Sequence, residues 1–330
     1  MSEHATDIEL VSFGDNRLMA DLSGEHDANL MILEKALGVR IDPRGNRLSI
    51  AGPPAARARA LRILAGLYRR LEQGESLSEA DIRAAARLDD AGAPDRADPA
   101  TPTVRTPKRT IAPRSPNQRR YLEALASADL VFGVGPAGTG KTYLAVAHAV
   151  GLLLSGAVER VVLSRPALEA GERIGFLPGD IKEKVDPYLR PLYDALGDML
   201  HGDYLERRFS AGDIEIAPIA FMRGRTLARA AIILDEAQNA TVAQMKMFLT
   251  RFGEGSHMAV TGDPSQSDLP PGEVSGLADA LARLKDVEGV ETIRFSREDV
   301  VRHPLVSRII EAYEDRPGAV RAEGRVAKDR

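Results

Sequence analysis

The sequence predicts an α/β protein whose main domain is a mostly parallel sheet wrapped by helices, with a small α+β domain before it. After residue 116, short apolar runs rich in β-forming residues alternate with helical patterns. A glycine-rich segment, G-x-x-x-x-G-K-[ST], stands at residues 135–142 between the first such run and the helical pattern that follows. Residues 1–88 carry a separate, shorter pattern of strands and helices.

Length and composition set limits on the function. A chain of 330 residues with 44% hydrophobic residues suggests about two domains, each with a core. The net charge of −4 gives no overall basic signal for nucleic acid, so such a surface would have to be local. The absence of cysteine excludes disulfides, a thiol nucleophile and thiolate metal sites. The acidic start MSEHATDIEL and the short apolar runs predict a cytoplasmic protein without a membrane segment.

Residues 1–88 are predicted to form the small domain. Apolar residues alternate over 18–22, which indicates a strand, and recur at helical spacing over 30–37. Residues 39–50 predict a β-hairpin with its turn at PRGN. A second helical pattern over 61–71 carries arginines on its other faces. The predicted order is strand, helix, strand, strand, helix.

This order, over about residues 16–73, resembles a KH domain, an RNA-binding module that clamps the nucleic-acid backbone with a GXXG loop. At the place of that loop the chain reads Gly24-Glu25-His26-Asp27. The second glycine is missing and two acids are present, and both changes oppose close approach of a phosphate. The resemblance therefore implies a KH-like fold. RNA binding and a docking or assembly role both remain open for this domain.

Residues 89–115 are rich in Pro, Ala, Thr and Asp without an apolar period, which indicates a linker. No acid occurs between residues 101 and 120, so the second half of the linker is basic. A solvated linker and a contact that follows RNA phosphates are both compatible with this charge. The polar stretch 317–330 is expected to be a disordered tail. The basic residues between positions 101 and 120 are Arg105, Lys108, Arg109, Arg114, Arg119 and Arg120.

The main domain is assigned to residues 116–316. Because no internal repeat is evident, we expect one sheet in it. The predicted strands are residues 129–134, 160–164, 231–235, 258–261 and 290–293.

The glycine-rich segment follows the buried strand ADLVFGV and opens the helix KTYLAVAHAVGLLL, the context that a phosphate-binding P-loop requires. Its backbone N–H groups are expected to turn onto the phosphates at the helix N-terminus. Lys141 is expected to reach the β- and γ-phosphates, and the Thr142 hydroxyl to bind Mg²⁺. We therefore predict a site for ATP and Mg²⁺ lined by Gly135, Pro136, Ala137, Gly138, Thr139, Gly140, Lys141 and Thr142.

The hydrophobic strand at 231–235 ends in two acids. Asp235 is expected to hold Mg²⁺, through water, as a Walker-B aspartate does. Glu236 suits the role of orienting or deprotonating the attacking water. An acid at the start of a helix in the turn after the strand is the alternative for Glu236. Its pairing with the upstream P-loop favours the catalytic role.

A third element, TGDPSQ at 261–266, follows another apolar strand. Asp263 and Gln266 would stand at the carboxyl end of that strand, where open α/β sheets bind ligands. The Gln266 amide can donate and accept hydrogen bonds, which suits sensing of the γ-phosphate or steadying of the water. An Asp-Pro turn without such a role is the alternative. The six histidines lack metal-ligand spacing, so Mg²⁺ is the metal we expect.

These three elements, in this order, resemble superfamily-1-like helicase cores, and longer stretches are similar to the PhoH-like ATPase family. The resemblance covers about residues 113–315, and its six blocks agree in order. The preceding KH-like unit fits the YbeZ branch of that family. The blocks are LSRPALEAGERIGFLPGDIKEKVDPYLRPLYDAL (163–196), AFMRGRTL (220–227), ILDEAQNAT (233–241), QMKMFLTRFG (244–253), TGDPSQSDLP (261–270) and DVVRHPLVSRIIEAYE (299–314).

The resemblance implies a RecA-like P-loop NTPase and further site residues. Gln118, in SPNQRRYLEAL, matches a Q-motif that contacts the adenine edge, although a glutamine near a helix start is otherwise simply solvated. Tyr143 is expected either to line the nucleotide pocket or to pack in the core. Arg302, in DVVRHP, is the first choice for an arginine finger on the γ-phosphate. The alternatives for that role are Arg165, Arg223 and Arg225.

The resemblance also implies the function: Mg²⁺-dependent hydrolysis of ATP to ADP and phosphate, coupled to binding, remodelling or unwinding of RNA. A helicase-type motor normally closes two RecA-like lobes on one nucleotide, and this chain has one, which predicts a homo-oligomeric ring, with six subunits as the expected number. A YbeY-type endoribonuclease is the expected partner. The alternative is an RNA- or ribosome-associated adaptor switched by ATP. Gln266 and the helicase-type motifs disfavour a small-molecule kinase.

Overall fold

The fold is described from a computed structural model of the chain. It describes residues 8–72, 74, 76–90, 102–166 and 181–300, together with residues 306 and 309. The predicted arginine finger Arg302 and the predicted tail at 317–330 lie outside the described residues.

The described N-terminal residues form an antiparallel sheet covered by helices, an α+β arrangement with its own core. The sheet order is β1-β3-β2, and Leu48 and Ile50 of its central strand are fully buried. The strands are β1 (Ile8–Ser12), β2 (Arg40–Arg44) and β3 (Arg47–Ala51). The helices are α1 (Asn16–Ser23), α2 (Ala28–Leu37), α3 (Pro54–Glu72) and α4 (Glu79–Asp90).

The strand predicted over residues 18–22 is wrong, because these residues belong to helix α1. Met19 and Leu22 face the core while Ala20 is exposed, so the buried positions follow helical spacing rather than alternation. The Asp15 side chain accepts a hydrogen bond from the Arg17 N–H and caps the helix. The first strand instead lies upstream, at residues 8–12. The predicted hairpin and the predicted helices at 30–37 and 61–71 are present as β2–β3, α2 and α3.

Part of the predicted linker folds onto the main domain. Strands β4 (Val104–Arg105) and β5 (Thr110–Ile111) pair as a short antiparallel hairpin. Ile111 is buried in the main-domain core, and a Cβ added at Gly151 of the underlying helix would lie 3.1 Å from Val104. These two apolar side chains hold the hairpin down, and they are too few to give a period in the sequence.

The basic residues of this segment make contacts within the protein. The Lys108 ammonium donates to the Gly197 carbonyl at 2.5 Å, and Arg109 pairs with Asp198 at 3.4 Å. Arg114 lies 3.5 Å from Asp81 of α4. The segment is therefore neither a purely solvated linker nor a row of uncommitted cations.

The main domain is built on a sheet that has six parallel strands among the described residues. Its order is β11-β6-β10-β9-β7-β8, that of a RecA-like P-loop core. The strands are β6 (Leu130–Val134), β7 (Arg160–Arg165), β8 (Ile214–Pro218), β9 (Ala230–Leu234), β10 (His257–Gly262) and β11 (Val290–Arg294). The helices are α5 (Pro116–Ser127), α6 (Lys141–Ser155), α7 (Ile181–Met199), α8 (Gly202–Ala211), α9 (Val242–Leu249) and α10 (Gly276–Arg283).

Alternate residues of each central strand enter two different cores, because helices cover both faces of the sheet. Val131 and Ile233 pack with α5, α6 and α7, whereas Phe132 and Ile232 pack with α9 and α10. The five predicted strands are confirmed. Strand β8, at one edge of the sheet, was not predicted.

The first prediction concerns the contact between β6 and α5. A Cβ added at Gly133 would lie 2.8 Å from the ring of Tyr121, which is fully buried and cannot move aside. Gly133→Ala should therefore lower the free energy of unfolding by about 1–3 kcal/mol, measured by urea denaturation. The matched control is Gly197→Ala in helix α7, where an added Cβ meets nothing within 4 Å. It should be neutral or stabilising by about 0.4–1 kcal/mol, and equal losses in both variants would contradict this packing.

The second prediction concerns pH. Burial, and next the neighbouring His257, lowers the pKa of His148 from 6.5 to about 4. The unfolded chain then binds more protons than the folded chain between these values, so stability falls as the pH drops from 6.5 towards 4. Between pH 7 and pH 5 this group should remove up to about 2 kcal/mol from the free energy of unfolding. His148→Leu should reduce that loss, whereas His201→Leu, at an exposed histidine, should keep it. A pH dependence that is the same in all three proteins would refute the assignment.

Candidate functional site

The loops that carry the predicted residues Lys141, Asp235 and Gln266 converge at one edge of the main sheet. Because its strands are parallel, their carboxyl ends share that edge. The P-loop follows β6 there, and the Gly135 N–H bonds the Gly262 carbonyl at the end of β10 across 3.1 Å. The Asp235 N–H, after β9, likewise bonds the Ser164 carbonyl of β7 at 2.9 Å. These backbone bonds hold the loops after β6, β7, β9 and β10 together.

The P-loop conformation depends on its first glycine. Gly135 has φ 139°, and a Cβ there would lie 2.4 Å from the carbonyl oxygen of Phe295. No residue with a side chain fits this approach between the loop and the segment after β11. The loop then leads into α6 through Gly140, which has φ 84°.

Lys141 points into the centre of the P-loop. Its ammonium donates to the carbonyls of Gly135 at 2.6 Å and Pro136 at 2.7 Å, and lies 3.3 Å from the Thr139 hydroxyl. The residue is buried, so its positive charge is held where the loop would receive phosphate oxygens.

The Asp235 carboxylate accepts four hydrogen bonds from described residues, and the residue is 2% exposed. Its Oδ1 accepts hydrogen bonds from the hydroxyls of Thr142 at 2.5 Å and Thr261 at 2.7 Å. Its Oδ2 accepts from Nε of Arg165 at 2.8 Å and also from Nη2 of the same guanidinium. One buried carboxylate therefore joins α6, β7 and β10 to β9.

The oxygen atoms of Thr142 and Asp235 are suitable ligands for Mg²⁺. The Thr142 hydroxyl donates a hydrogen bond to Asp235, so its oxygen lone pairs remain available on the other side. A hydroxyl oxygen beside a carboxylate oxygen is the type of hard ligand set that Mg²⁺ binds together with water and phosphate. Thr142 and Asp235 are thus the residues that would hold the metal, as the sequence predicts.

Glu236 has a φ of 53°, in the left-handed region, which is uncommon for a residue other than glycine. It stands at the start of the short helical turn Ala237–Asn239, so the alternative of an acid at a helix start fits its position, although its side chain makes no capping bond to the backbone of that turn. The catalytic role of Glu236 stays a prediction. The side chain is 48% exposed and faces the same edge, with Oε1 3.8 Å from Arg165 Nη2.

Gln238 belongs to the site, although its place in the motif ILDEAQNAT does not predict a role for it. It is 3% exposed, and its Nε2 donates to Oε2 of Glu236 at 2.6 Å. Its Oε1 accepts the Asp263 N–H at 3.0 Å. A Cβ at Gly262 would lie 2.6 Å from this oxygen, so the contact also requires glycine at 262. Gln238 thereby links the loop after β9 to the loop after β10.

The loop after β10 contains the contacts of an Asp turn. The Asp263 carboxylate accepts from the backbone and hydroxyl of Ser265 at 3.0 and 2.7 Å. The Gln266 amide donates to the same carboxylate at 2.9 Å and is otherwise exposed. The turn that we considered as an alternative is thus formed, and Gln266 stands on it at the site edge. Its contact with a γ-phosphate stays a prediction.

Gln118 is not a solvated glutamine, because it is 4% exposed. Its Oε1 accepts the Arg114 N–H at 2.6 Å, and its Nε2 donates to the Thr139 carbonyl of the P-loop at 3.0 Å. The adenine contact stays a prediction. Tyr143 is partly buried against the core, and burial raises the pKa of its hydroxyl.

The segment before Arg302 is held against the start of α5. The buried Asp299 carboxylate accepts hydrogen bonds from Ser115 at 2.6 Å, Asn117 at 2.9 Å and the Ser296 N–H at 2.7 Å. Arg302 itself is not described.

Of the alternative finger arginines, Arg225 forms a bidentate pair with Glu215 at 2.6 and 2.7 Å. Hydrogen bonding to this guanidinium lowers the pKa of Glu215. Arg223 is exposed, and Arg165 is on Asp235. The three arginines are therefore in three different environments.

The loop at Gly24-Glu25-His26-Asp27 joins α1 to α2. His26 and Asp27 both have positive φ, 52° and 60°. A Cβ at Gly24 would lie 2.8 Å from the Asn29 side chain, so the first glycine of the motif is required. Glu25 and Asp27 are exposed on the loop, which leaves its surface acidic.

The part of the chain that the structure describes contains no helix that is both long and apolar enough to cross a membrane. It also contains no group of three or more histidine, aspartate or glutamate side chains arranged to hold a metal ion.

Comparison with known proteins identifies the relatives of this chain. Residues 110–314 match the family described as PhoH-like protein. A PhoH-like protein of Bacillus subtilis is 50% identical over 296 residues, which cover 89% of this chain and 93% of the relative. A PhoH-like protein of Mycobacterium tuberculosis is 49% identical over 298 residues, covering 90% and 85% of the two chains. Protein PhoH of Escherichia coli is 49% identical over 205 residues, which cover 62% of this chain and 58% of the relative.

The third prediction tests the link through Gln238. Gln238→Leu leaves the buried Asp263 N–H without its acceptor and Glu236 without its donor. The free energy of unfolding should fall by about 1–3 kcal/mol, measured by urea denaturation. Gln266→Leu, which removes an exposed amide from the same loop, is the matched control and should stay within about 0.5 kcal/mol of wild type. If the two variants lose equal stability, Gln238 does not carry this link.

Proposed function

The chain belongs to the PhoH-like family, and on that premise we propose that it binds ATP with Mg²⁺ and hydrolyses it to ADP and phosphate. The observation that carries the proposal is the set of contacts at Asp235. A buried carboxylate accepts a hydrogen bond from the P-loop hydroxyl of Thr142, beside a P-loop lysine and an adjacent exposed glutamate. This is the combination that phosphoryl transfer to water requires.

Each group has a role that follows from its position. The loop N–H groups and the Lys141 ammonium neutralise the β- and γ-phosphates. Thr142 and Asp235 hold the metal, and bound Mg²⁺ supplies charge neutralisation for the phosphate oxygens. Lys141 can exchange its bonds to the Gly135 and Pro136 carbonyls for bonds to phosphate oxygens without moving far from the loop.

Glu236 is the proposed general base that orients the attacking water and receives its proton. One of its oxygens is held by Gln238, which fixes the direction of the carboxylate. Gln238 also holds the Asp263 N–H, so the position of Glu236 is tied to the loop that carries Gln266. Gln266 would then report the γ-phosphate to the base.

We propose that hydrolysis is coupled to RNA and that the active form is a homo-oligomeric ring, with six subunits as the expected number. The main sheet is a single lobe in the described residues, so a second surface on the nucleotide would come from a neighbouring subunit. Arg302 is the proposed finger. A YbeY-type endoribonuclease is the proposed partner, from the family resemblance. The cytoplasm is the proposed location, from the acidic start of the sequence and its short apolar runs.

The second candidate function is an adaptor that ATP switches between two states with little turnover. The acidic loop between α1 and α2 favours it, because Glu25 and Asp27 repel the phosphates that a KH loop would clamp. In this case the N-terminal domain docks a protein.

The fourth prediction separates these functions. Glu236→Gln should retain ATP binding, because the P-loop and Asp235 are unchanged, while turnover falls by at least about 100-fold. The measurement is steady-state release of phosphate from ATP at saturating Mg²⁺ and fixed salt, with and without single-stranded RNA, beside an equilibrium binding titration of ATP at the same Mg²⁺ concentration.

Near wild-type turnover in Glu236→Gln would refute the role of this residue. Stimulation by RNA that disappears in the variant supports a coupled RNA motor. Slow turnover that RNA does not change supports the adaptor. Glu273→Gln makes the same chemical change at an exposed acid in the segment after β10, and as the matched control it should retain turnover.

A further inference from the structure

The acceptor sites of the Asp235 carboxylate are all used within the described residues. A carboxylate offers about four lone-pair directions, two on each oxygen. Oδ1 accepts from Thr142 and Thr261, and Oδ2 accepts twice from the Arg165 guanidinium, through Nε and Nη2. A metal-bound water, or the metal itself, therefore has to replace one of these donors.

The two threonines can keep their bonds when a metal binds. Thr142 donates a hydrogen bond to Asp235 while its oxygen remains a possible metal ligand. The hydrogen bond and metal binding are therefore compatible. Thr261 is completely buried in β10 beneath the carboxylate. Arg165 is the donor whose place conflicts with a metal, because it occupies Oδ2 and carries the same sign of charge.

A second carboxylate stands next to the first on the path of the guanidinium. Arg165 Nη2 lies on Asp235 and 3.8 Å from Oε1 of Glu236. Glu236 is 48% exposed and its Oε2 is held by Gln238, so Oε1 is the oxygen turned towards the arginine. A rotation of the long arginine side chain is enough to exchange one acid for the other.

We propose that Arg165 is a positioning residue that competes with hydrated Mg²⁺ for Oδ2 of Asp235 and passes to Glu236 when the metal binds. The inference rests on the proposed use of ATP and Mg²⁺ at this site. The guanidinium neutralises the buried acid until the metal takes over that role. Its arrival at Glu236 then aligns the base only when the metal is in place, which restrains hydrolysis without Mg²⁺.

The fifth prediction is that removing the competitor lowers the Mg²⁺ requirement. Arg165→Met keeps an unbranched apolar stem without the charge. The Mg²⁺ concentration that gives half-maximal binding of a fluorescent, non-hydrolysable ATP analogue should fall by about fivefold or more. Arg165→Lys keeps a cation and should stay between the Met variant and wild type, because an ammonium cannot reproduce the planar fork.

The sign of this change distinguishes competition from a purely structural role. If Arg165 only holds Asp235 in place, its loss should loosen the carboxylate and raise the Mg²⁺ requirement. Arg294→Met removes an exposed cation from the same edge of the sheet, at the end of β11, and controls for the general loss of positive charge. It should remain close to wild type.

A double-mutant cycle tests the transfer to Glu236. Glu236→Gln removes the receiving acid, so displacement of Arg165 becomes harder and the Mg²⁺ requirement should rise. In the Arg165→Met background the same change should have a smaller effect, because no guanidinium needs a receiver. Additive effects of the two changes would overturn the transfer.

Thermal unfolding covers the case in which Arg165→Met destabilises the fold because the buried Asp235 has lost the opposite charge of the guanidinium. MgCl2 without nucleotide should then raise the Tm of this variant more than that of wild type or Arg294→Met. Equal Mg²⁺ effects in all proteins, or a higher Mg²⁺ requirement in Arg165→Met, would overturn the competition. Failure of the wild-type chain to bind the ATP analogue at any Mg²⁺ concentration would overturn the proposed function, and this inference with it.

Discussion

The buried carboxylate of Asp235 is the interaction on which the rest of the site depends. It lies at the end of β9 and accepts hydrogen bonds from Thr142 of α6, Thr261 of β10 and Arg165 of β7. An ionised carboxylate at this depth is stable only when it is fully paired, because an uncompensated buried charge costs several kcal/mol. The P-loop and three neighbouring strands must therefore keep their mutual register. The carboxylate that is proposed to hold the metal is therefore also the group that connects the P-loop to the sheet.

The fold could be predicted where the sequence pattern reflects burial on both sides. Strands β6, β7, β9 and β10 are almost continuously apolar since helices cover both faces, and each was recognised. Strand β8 lies at the edge and is only partly buried, which left a weaker signal. The sequence predicts a strand where helix α1 lies, because the apolar residues at 18, 20 and 22 fit the two-residue period of a β-strand. Packing of Met19 and Leu22 decides between the two patterns, and it is not visible locally.

The candidate site also has a part that the sequence predicts and a part that it does not. Lys141, Thr142, Asp235 and Glu236 belong to short motifs whose chemistry is local, so their grouping followed from the order of strands. Gln238 lies within such a motif, yet its contact with the loop after β10 depends on a glycine at 262 and on the register of two strands. Contacts of this kind arise from tertiary structure alone. They set the direction of side chains such as Glu236, which the residue types alone cannot specify.

The hairpin formed by β4 and β5 and the residues just after it bear on how this chain can be divided. Ile111 fills part of the main-domain core, and Ser115 donates to the buried Asp299, 184 positions later in the chain. A fragment cut at the start of α5 would carry an acid without its hydroxyl partner and a hole in its core. A domain boundary used to build fragments or fusions of this chain should therefore be placed before residue 102. The part of the predicted linker from residue 102 onward is therefore, in structural terms, the first part of the P-loop domain.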